Sequence, residues 1–215
     1  IVFGDWSSDV CSSDLNKENT GYFGFNVGHR IWSLLGAVTY TNFDDLTMGS
    51  HSHDEYQRLW YVQRIGDADS VMVNKDKNTQ KFTGYNQHNY LGKIRIQPLK
   101  FVDLIFSVNA VASKNVPRYD RLIKTNSSGI HSNSERYYGP QKWELENLAV
   151  SLSNSNGFYD KLKINLAKQE YKESRNSRKM GNLKVKQQIE EVALYSINVD
   201  AEKKFEEAKI GRAHV

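Results

Sequence analysis

Cysteine occurs once and proline three times in the 215 residues. A lone thiol can build neither a disulfide framework nor a thiolate metal site. No apolar run approaches the roughly 18 residues of a membrane helix, mean hydropathy is −0.66, and helical periodicity is hard to find. Also missing are a Gly-x-Ser-x-Gly elbow, a His-Glu-x-x-His pair and a phosphate-binding glycine loop. The chain therefore carries no catalytic signature, and the expectation is a protein that is not an enzyme, with no resident cofactor or metal.

The single cysteine, Cys11, lies in DWSSDVCSSDL, residues 5 to 15. The last six residues, IGRAHV, can be encoded by ATC GGA AGA GCA CAC GTC. The reverse complement of that string, GAC GTG TGC TCT TCC GAT, encodes Asp-Val-Cys-Ser-Ser-Asp, which is Asp9 to Asp14. No protein function requires two termini to be the same DNA read from opposite strands. The string resembles an adapter ligated to sequencing inserts, so residues 1–15 and 210–215 are read as adapter-derived and excluded from fold reasoning. On this reading they form no strand, Trp6 and Cys11 stay exposed, and residues 16–209 are a slice of a larger protein. Setting them aside removes Arg212 against Asp5, Asp9 and Asp14, which raises the formal balance of +4 by two.

What is present in quantity is alternation. From His88 to Ile96 the even positions are His88, Tyr90, Gly92, Ile94 and Ile96, against Asn89, Leu91, Lys93 and Arg95. Beyond a connection at 97–101, Leu104, Phe106, Val108, Ala110 and Ala112 share a face opposite Asp103, Ser107 and Asn109. The same two-residue period predicts strands near 21–28, 32–43, 84–97, 101–113, 142–154, 160–172 and 188–203. RLWYVQRI and VMVNKD flank GDADS, residues 66–70, which reads as a turn. The fold class is all-β, an antiparallel meander.

Links within the predicted hairpins are short, at 28–32, 97–101 and 154–161, whereas those between hairpins are long and polar, at 44–83, 114–140 and 172–187. Transmembrane barrels alternate in this way, with strands that turn apolar residues to lipid and polar ones to the lumen. Closure is what lets so modest a hydrophobicity span lipid, because every backbone group is then paired. Tyr40, Phe43, Tyr85, Phe101, Trp143, Phe158, Tyr159 and Tyr171 cluster near predicted strand ends, as interfacial girdles do. Seven strands cannot close such a barrel, so the expectation is part of a larger one. A plugless porin-type barrel and a soluble β-sandwich binding module are the competing readings. In a sandwich the apolar face would bury against a second sheet; in a barrel it would stay free of charge over about 25 Å and face outward.

The phrases WSLLGAVTYTNFDDLTMGS, FTGYNQHNYLGKIRIQP, NVPRYDRL, YYGPQKWELENLAVSLS, YDKLKINLAKQEYKESRNSRKM and VALYSINVDAEKKF resemble, in this order, the early barrel region of TonB-dependent outer-membrane receptors of the Bacteroidetes type. The resemblance spans residues 16–205. It implies a barrel of about 22 strands with a plug in its lumen. It further implies contact with outer-membrane lipid and with the TonB energy-coupling complex. The implied activity is import of a small-molecule or metal-chelate ligand such as an iron chelate, heme or cobalamin. Neither the plug nor the coupling box is among these residues.

Candidate site residues fall into two groups. His51 and His53 in GSHSHDE, with His131 from the next long link, are candidate ligands for a metal or heme, against the simpler reading of polar loop residues. Lys93, Arg95, Asn109, Lys163 and Asn165 are expected to line the lumen. Lys168 is grouped with them on a polar face, a pattern that fits anionic ligands or headgroups better than a nucleic-acid groove. Asp44 and Asp45 end a strand and are expected to cap or line the rim.

Overall fold

The computed structural model describes residues 6–13, 15–49, 51, 53–153, 157–205 and 213–214, the first and last of these ranges by backbone alone. The chain runs β1 (Trp6–Ser13), β2 (Glu18–His29), β3 (Trp32–Phe43), β4 (Leu46–Thr47), β5 (Trp60–Ile65), β6 (Ala68–Val73), β7 (Thr79–Gln80), β8 (Tyr85–Leu99), β9 (Val102–Ser113), β10 (Val116–Pro117) and the one-turn helix α1 (Tyr119–Leu122). It continues through β11 (Asn133–Tyr138), β12 (Lys142–Ser153), β13 (Lys161–Lys179), β14 (Lys186–Glu202) and β15 (Ala213–His214). One antiparallel sheet takes β1, β2, β3, β8, β9, β12, β13, β14 and β15 side by side in chain order, with β10 and β11 prolonging it at one end. Two small ribbons, β4 with β7 and β5 with β6, stand off it. The expected meander is what forms, without a parallel pair or Greek-key crossing among the described residues.

Each long strand lies where side chains alternate, because extended backbone sends successive side chains to opposite faces. The β2–β3 turn is Arg30–Ile31 and the β8–β9 turn is Lys100–Phe101. The second is tighter than the expected 97–101 link. Pro98, which has no N–H for the ladder, is absorbed in a register shift between Ile96 and Leu99 instead. Of GDADS only Gly66 and Asp67 form the turn, with Gly66 at φ 59°; Ala68, Asp69 and Ser70 already belong to β6.

Register settles which residues share a face. Ile94 pairs with Phe106 and Ile96 with Leu104; Phe106 pairs with Leu148 and Leu104 with Val150. Leu148, Val150 and Leu152 pair in turn with Leu166, Ile164 and Leu162. Ile197 and Val199 extend this face onto β14, and Leu34, Val38, Phe23 and Val27 extend it onto β3 and β2. Lys93, Arg95, Ser107, Asn109, Lys163 and Asn165 lie on the opposite face by the same pairings.

No hydrophobic side chain among the described residues is buried. Phe106 is 42% exposed, Ile94 37% and Ile197 65%, while the buried set is polar: Thr41, Asn74, Thr79, Ser113, Glu173, Ser174, Asn176 and Arg178. The second sheet that a sandwich would lay on the apolar face is not found among the described residues.

Four expectations need correction. The terminal segments do form strands: β1 pairs residue for residue with β2 from Trp6↔Phe25 to Ser13↔Glu18, and β15 pairs with β14. An unpaired sheet edge offers a row of N–H and C=O groups that any extended segment can satisfy, whatever its origin. The side chains of Trp6 and Cys11 lie outside the described residues. The link expected at 172–187 is really six residues, 180–185, because β13 and β14 pair from Lys161↔Glu202 as far as Ser177↔Lys186. Lys168 is on the apolar face, across from Glu146 and bonded to Glu170 at 2.9 Å. The charge-free stretch on β12 and β13 is therefore about 15 Å long, shorter than the 25 Å expected.

Candidate functional site

The two long links build a cap at the end of the sheet where β13 and β14 project. Its keystone is Arg178, on the same face of β13 as Leu166 but twelve residues beyond it. Nothing in the local pattern makes 173–179 a strand by alternation; β11 holds it from one side and β14 from the other. Between β11 and β12, Gly139 at φ 107° breaks the strand, and a Cβ there would meet the Lys114 carbonyl oxygen at 2.9 Å. Gly139 N–H donates to Ser174 O at 2.8 Å, and Asn176 Nδ2 donates to Gly139 O at 3.1 Å.

Arg178 spends its whole fork on this cap. Nη1 donates to Asp69 Oδ2 at 2.8 Å and to Asn182 O at 2.9 Å, while Nε and Nη2 donate to Glu135 Oε1 at 2.8 and 2.6 Å. Gly181 N–H adds a bond to Asp69 Oδ2 at 2.9 Å. Arg178 and Asp69 are 2% and 1% exposed, Glu135 35%. The Arg178 hydrogen bond holds the Asp69 carboxyl below its ordinary range against the opposing cost of burial, and the same bond raises Arg178. This pair ties the β5–β6 ribbon, which has few other contacts with the sheet, to β13.

Asp45 does what a strand-end carboxylate was expected to do: its Oδ1 accepts from Thr83 N–H at 2.8 Å and Gly84 N–H at 3.2 Å. Asp76 is lowered by the Thr79 hydroxyl and the Asn78 N–H within its own turn. Around these groups opens a polar cavity of about 810 Å³, lined by Asp44, Asp45, Asp76, Lys17, Lys81 and Lys114. A second cavity of about 420 Å³ lies between the β5–β6 ribbon and the α1–β11 wall, with Trp60, Tyr61, Phe82, Tyr119 and Tyr137 around it.

The three histidines part company. His51 and His53 are exposed, with the His53 ring 6.1 Å from Tyr56. His131 alone lines the aromatic cavity, where its Nδ1 donates to Leu122 O at 3.1 Å. Among the described residues no group of three His, Cys, Asp or Glu side chains is placed to hold a metal ion. On the polar face of the sheet, Arg95 makes a bidentate pair with Asp103 at 2.7 and 2.9 Å; Lys93, Asn109, Lys163 and Asn165 share that face. The cap triad was not legible beforehand, because Asp69 and Arg178 are 109 positions apart and neither belongs to a motif. Comparison with protein families, with curated proteins and with solved structures returns no match.

Proposed function

We propose that residues 16–209 are a section of the barrel of a TonB-dependent outer-membrane receptor, which imports a scarce nutrient such as an iron chelate, heme or cobalamin. In this reading the Phe106 face meets lipid. Lys93, Arg95, Asn109, Lys163 and Asn165 look into the lumen, and the cap around Arg178 stands on the external side. The family phrases in the sequence supply the class.

The observation that carries the reading is a broad sheet whose apolar face is left bare. In water each such Leu, Ile or Phe would forgo about 1.5–3 kcal/mol of burial, and a dozen or more are aligned on one side. Lipid removes that cost without a second sheet. The projecting β13–β14 hairpin and the short turns at the opposite end match the asymmetry of outer-membrane barrels. Glu146 and Lys168 face the same side as the apolar band but end it toward the cap, where Lys168 pairs with Glu170 at 2.9 Å.

The test is a pair of substitutions in the full-length gene product. Phe106→Arg puts a charge among Ile94, Leu104 and Leu148, at a cost of about 2–4 kcal/mol on a lipid face, and barrel assembly in outer membranes should fall sharply. Ser107→Arg points the other way and should assemble normally. Position 106 is preferred to 108, whose cross-strand neighbour Glu146 would pair with a new arginine. Equal assembly of the two variants, scored by heat-modifiable mobility and protease resistance, would refute the assignment of faces. A plug domain encoded upstream would separate this receptor from a passive porin.

A further inference from the structure

The 420 Å³ cavity under the β5–β6 ribbon is built for something other than water. Aromatic side chains from separate segments line it: Trp60 and Tyr61 from β5, Phe82 from the segment before β8, Tyr119 from α1 and Tyr137 from β11. Tyr61 meets Phe82 edge to face at 5.6 Å. Phe82 itself sits at φ 64°, a left-handed conformation that a bulky side chain adopts only where its surroundings compel it. That backbone turn is what brings its ring to the cavity.

Five charged residues also line the cavity: Arg64, Lys81, Glu135, Arg136 and Arg178. Arg178 is consumed by Asp69, Glu135 and Asn182, and Arg64 pairs with Asp67 at 3.2 Å. Burial raises the phenols of Tyr119 and Tyr137, so both remain O–H donors at neutral pH. His131 donates its Nδ1–H to Leu122 O. The ring faces select flat aromatic molecules that carry a hydrogen-bonding group at the edge.

We propose that this cavity is a binding site for a compact aromatic molecule of one or two rings bearing a hydroxyl or N–H group. The cavity lies wholly within the cap, so the proposal stands whichever way the apolar face of the sheet is turned.

Photolabelling of the whole chain in detergent with 4-azidophenol, mapped by peptide mass spectrometry, tests it. Labelling should concentrate on the peptides that hold Trp60–Val62, Phe82 and Tyr119–Ile123. Excess 2-naphthol should suppress it and cyclohexanol, which has no ring face, should not. Phe82→Ala should weaken that competition about five-fold, the scale of one lost aromatic contact. Tyr119→Phe, which keeps the ring and the fold, should leave the label sites unchanged. Leu166→Ala, on the bare face of the sheet, should leave the competition unchanged. Labels spread along the exposed apolar face, equal competition by 2-naphthol and cyclohexanol, or competition indifferent to Phe82→Ala in a folded protein would each overturn the assignment.

Discussion

At the scale of single residues, Arg178 and Asp69 decide whether the cap stays on the sheet. Their pair is buried, and without Asp69 the guanidinium keeps only Glu135 and Asn182: Asp69→Ala should destabilise the cap by about 1–3 kcal/mol, with protease cleavage newly admitted at the Gly66 turn. Asp67→Ala, which removes a carboxylate 97% exposed, should move stability by no more than about 0.5 kcal/mol. The two neighbours thus make an internal control in one limited-proteolysis experiment. The pH dependence follows from the same bond. Asp69 is lowered in the folded state, so its contribution is complete above the ordinary carboxylate value of about 4 and fades as pH falls through the lower folded value. Acid-induced cleavage at the Gly66 turn should therefore begin below pH about 4 and persist less steeply in Asp69→Asn. None of this was legible in the sequence. GDADS announced a turn through its glycine, yet Asp69 falls in β6 just beyond it, and only the fold supplies its distant arginine. Asp45 was readable, because a carboxylate at a strand end has nearby N–H groups to bond.

At the scale of elements, alternation found the strands and failed where pairing, not pattern, makes them. The expected 32–43, 101–113 and 142–154 match β3, β9 and β12 to within a residue at either end, since each has one apolar and one polar face. Beyond Lys172 both faces of β13 are polar, so the period disappears; yet β11 and β14 clamp the segment by backbone bonds that side chains do not advertise. β1 is the opposite case. Its pairing with β2 depends on a free edge and extended backbone, which any extended segment can offer whatever its origin. Deletion of residues 1–14 should therefore uncover the β2 amides to hydrogen exchange while those of β9 and β12 keep their protection, because their ladders run to other strands. Loss of protection in β9 would mean that β1 organises the sheet and is no mere edge addition.

At the scale of the whole molecule, a sheet of this width with no buried hydrophobic side chain among its described residues needs a surrounding that is not water on one side. Lipid and a missing protein layer are the two candidates, and they differ in what diffuses to the surface. Cys11 is the chain's one cysteine, so Cys11→Ser gives a background for placing single spin labels. Along β9, labels at Leu104, Phe106 and Val108 should collide with oxygen, which dissolves in detergent tails, and be shielded from a water-soluble nickel chelate. Labels at Ser107 and Asn109 should show the reverse, because register puts them with Lys93 and Leu91 on the other face. The expected readout in micelles is thus an accessibility ratio oscillating every two residues, in step with the pleat. A label at Lys168, on the oxygen-facing side but opposite Glu146, should break the rhythm toward nickel and mark where the apolar band ends. A protein layer over the same face would shield Leu104, Phe106 and Val108 from both reagents alike. Equal nickel access at 106 and 107 would mean that neither face meets hydrocarbon, and the receptor reading would fall with it.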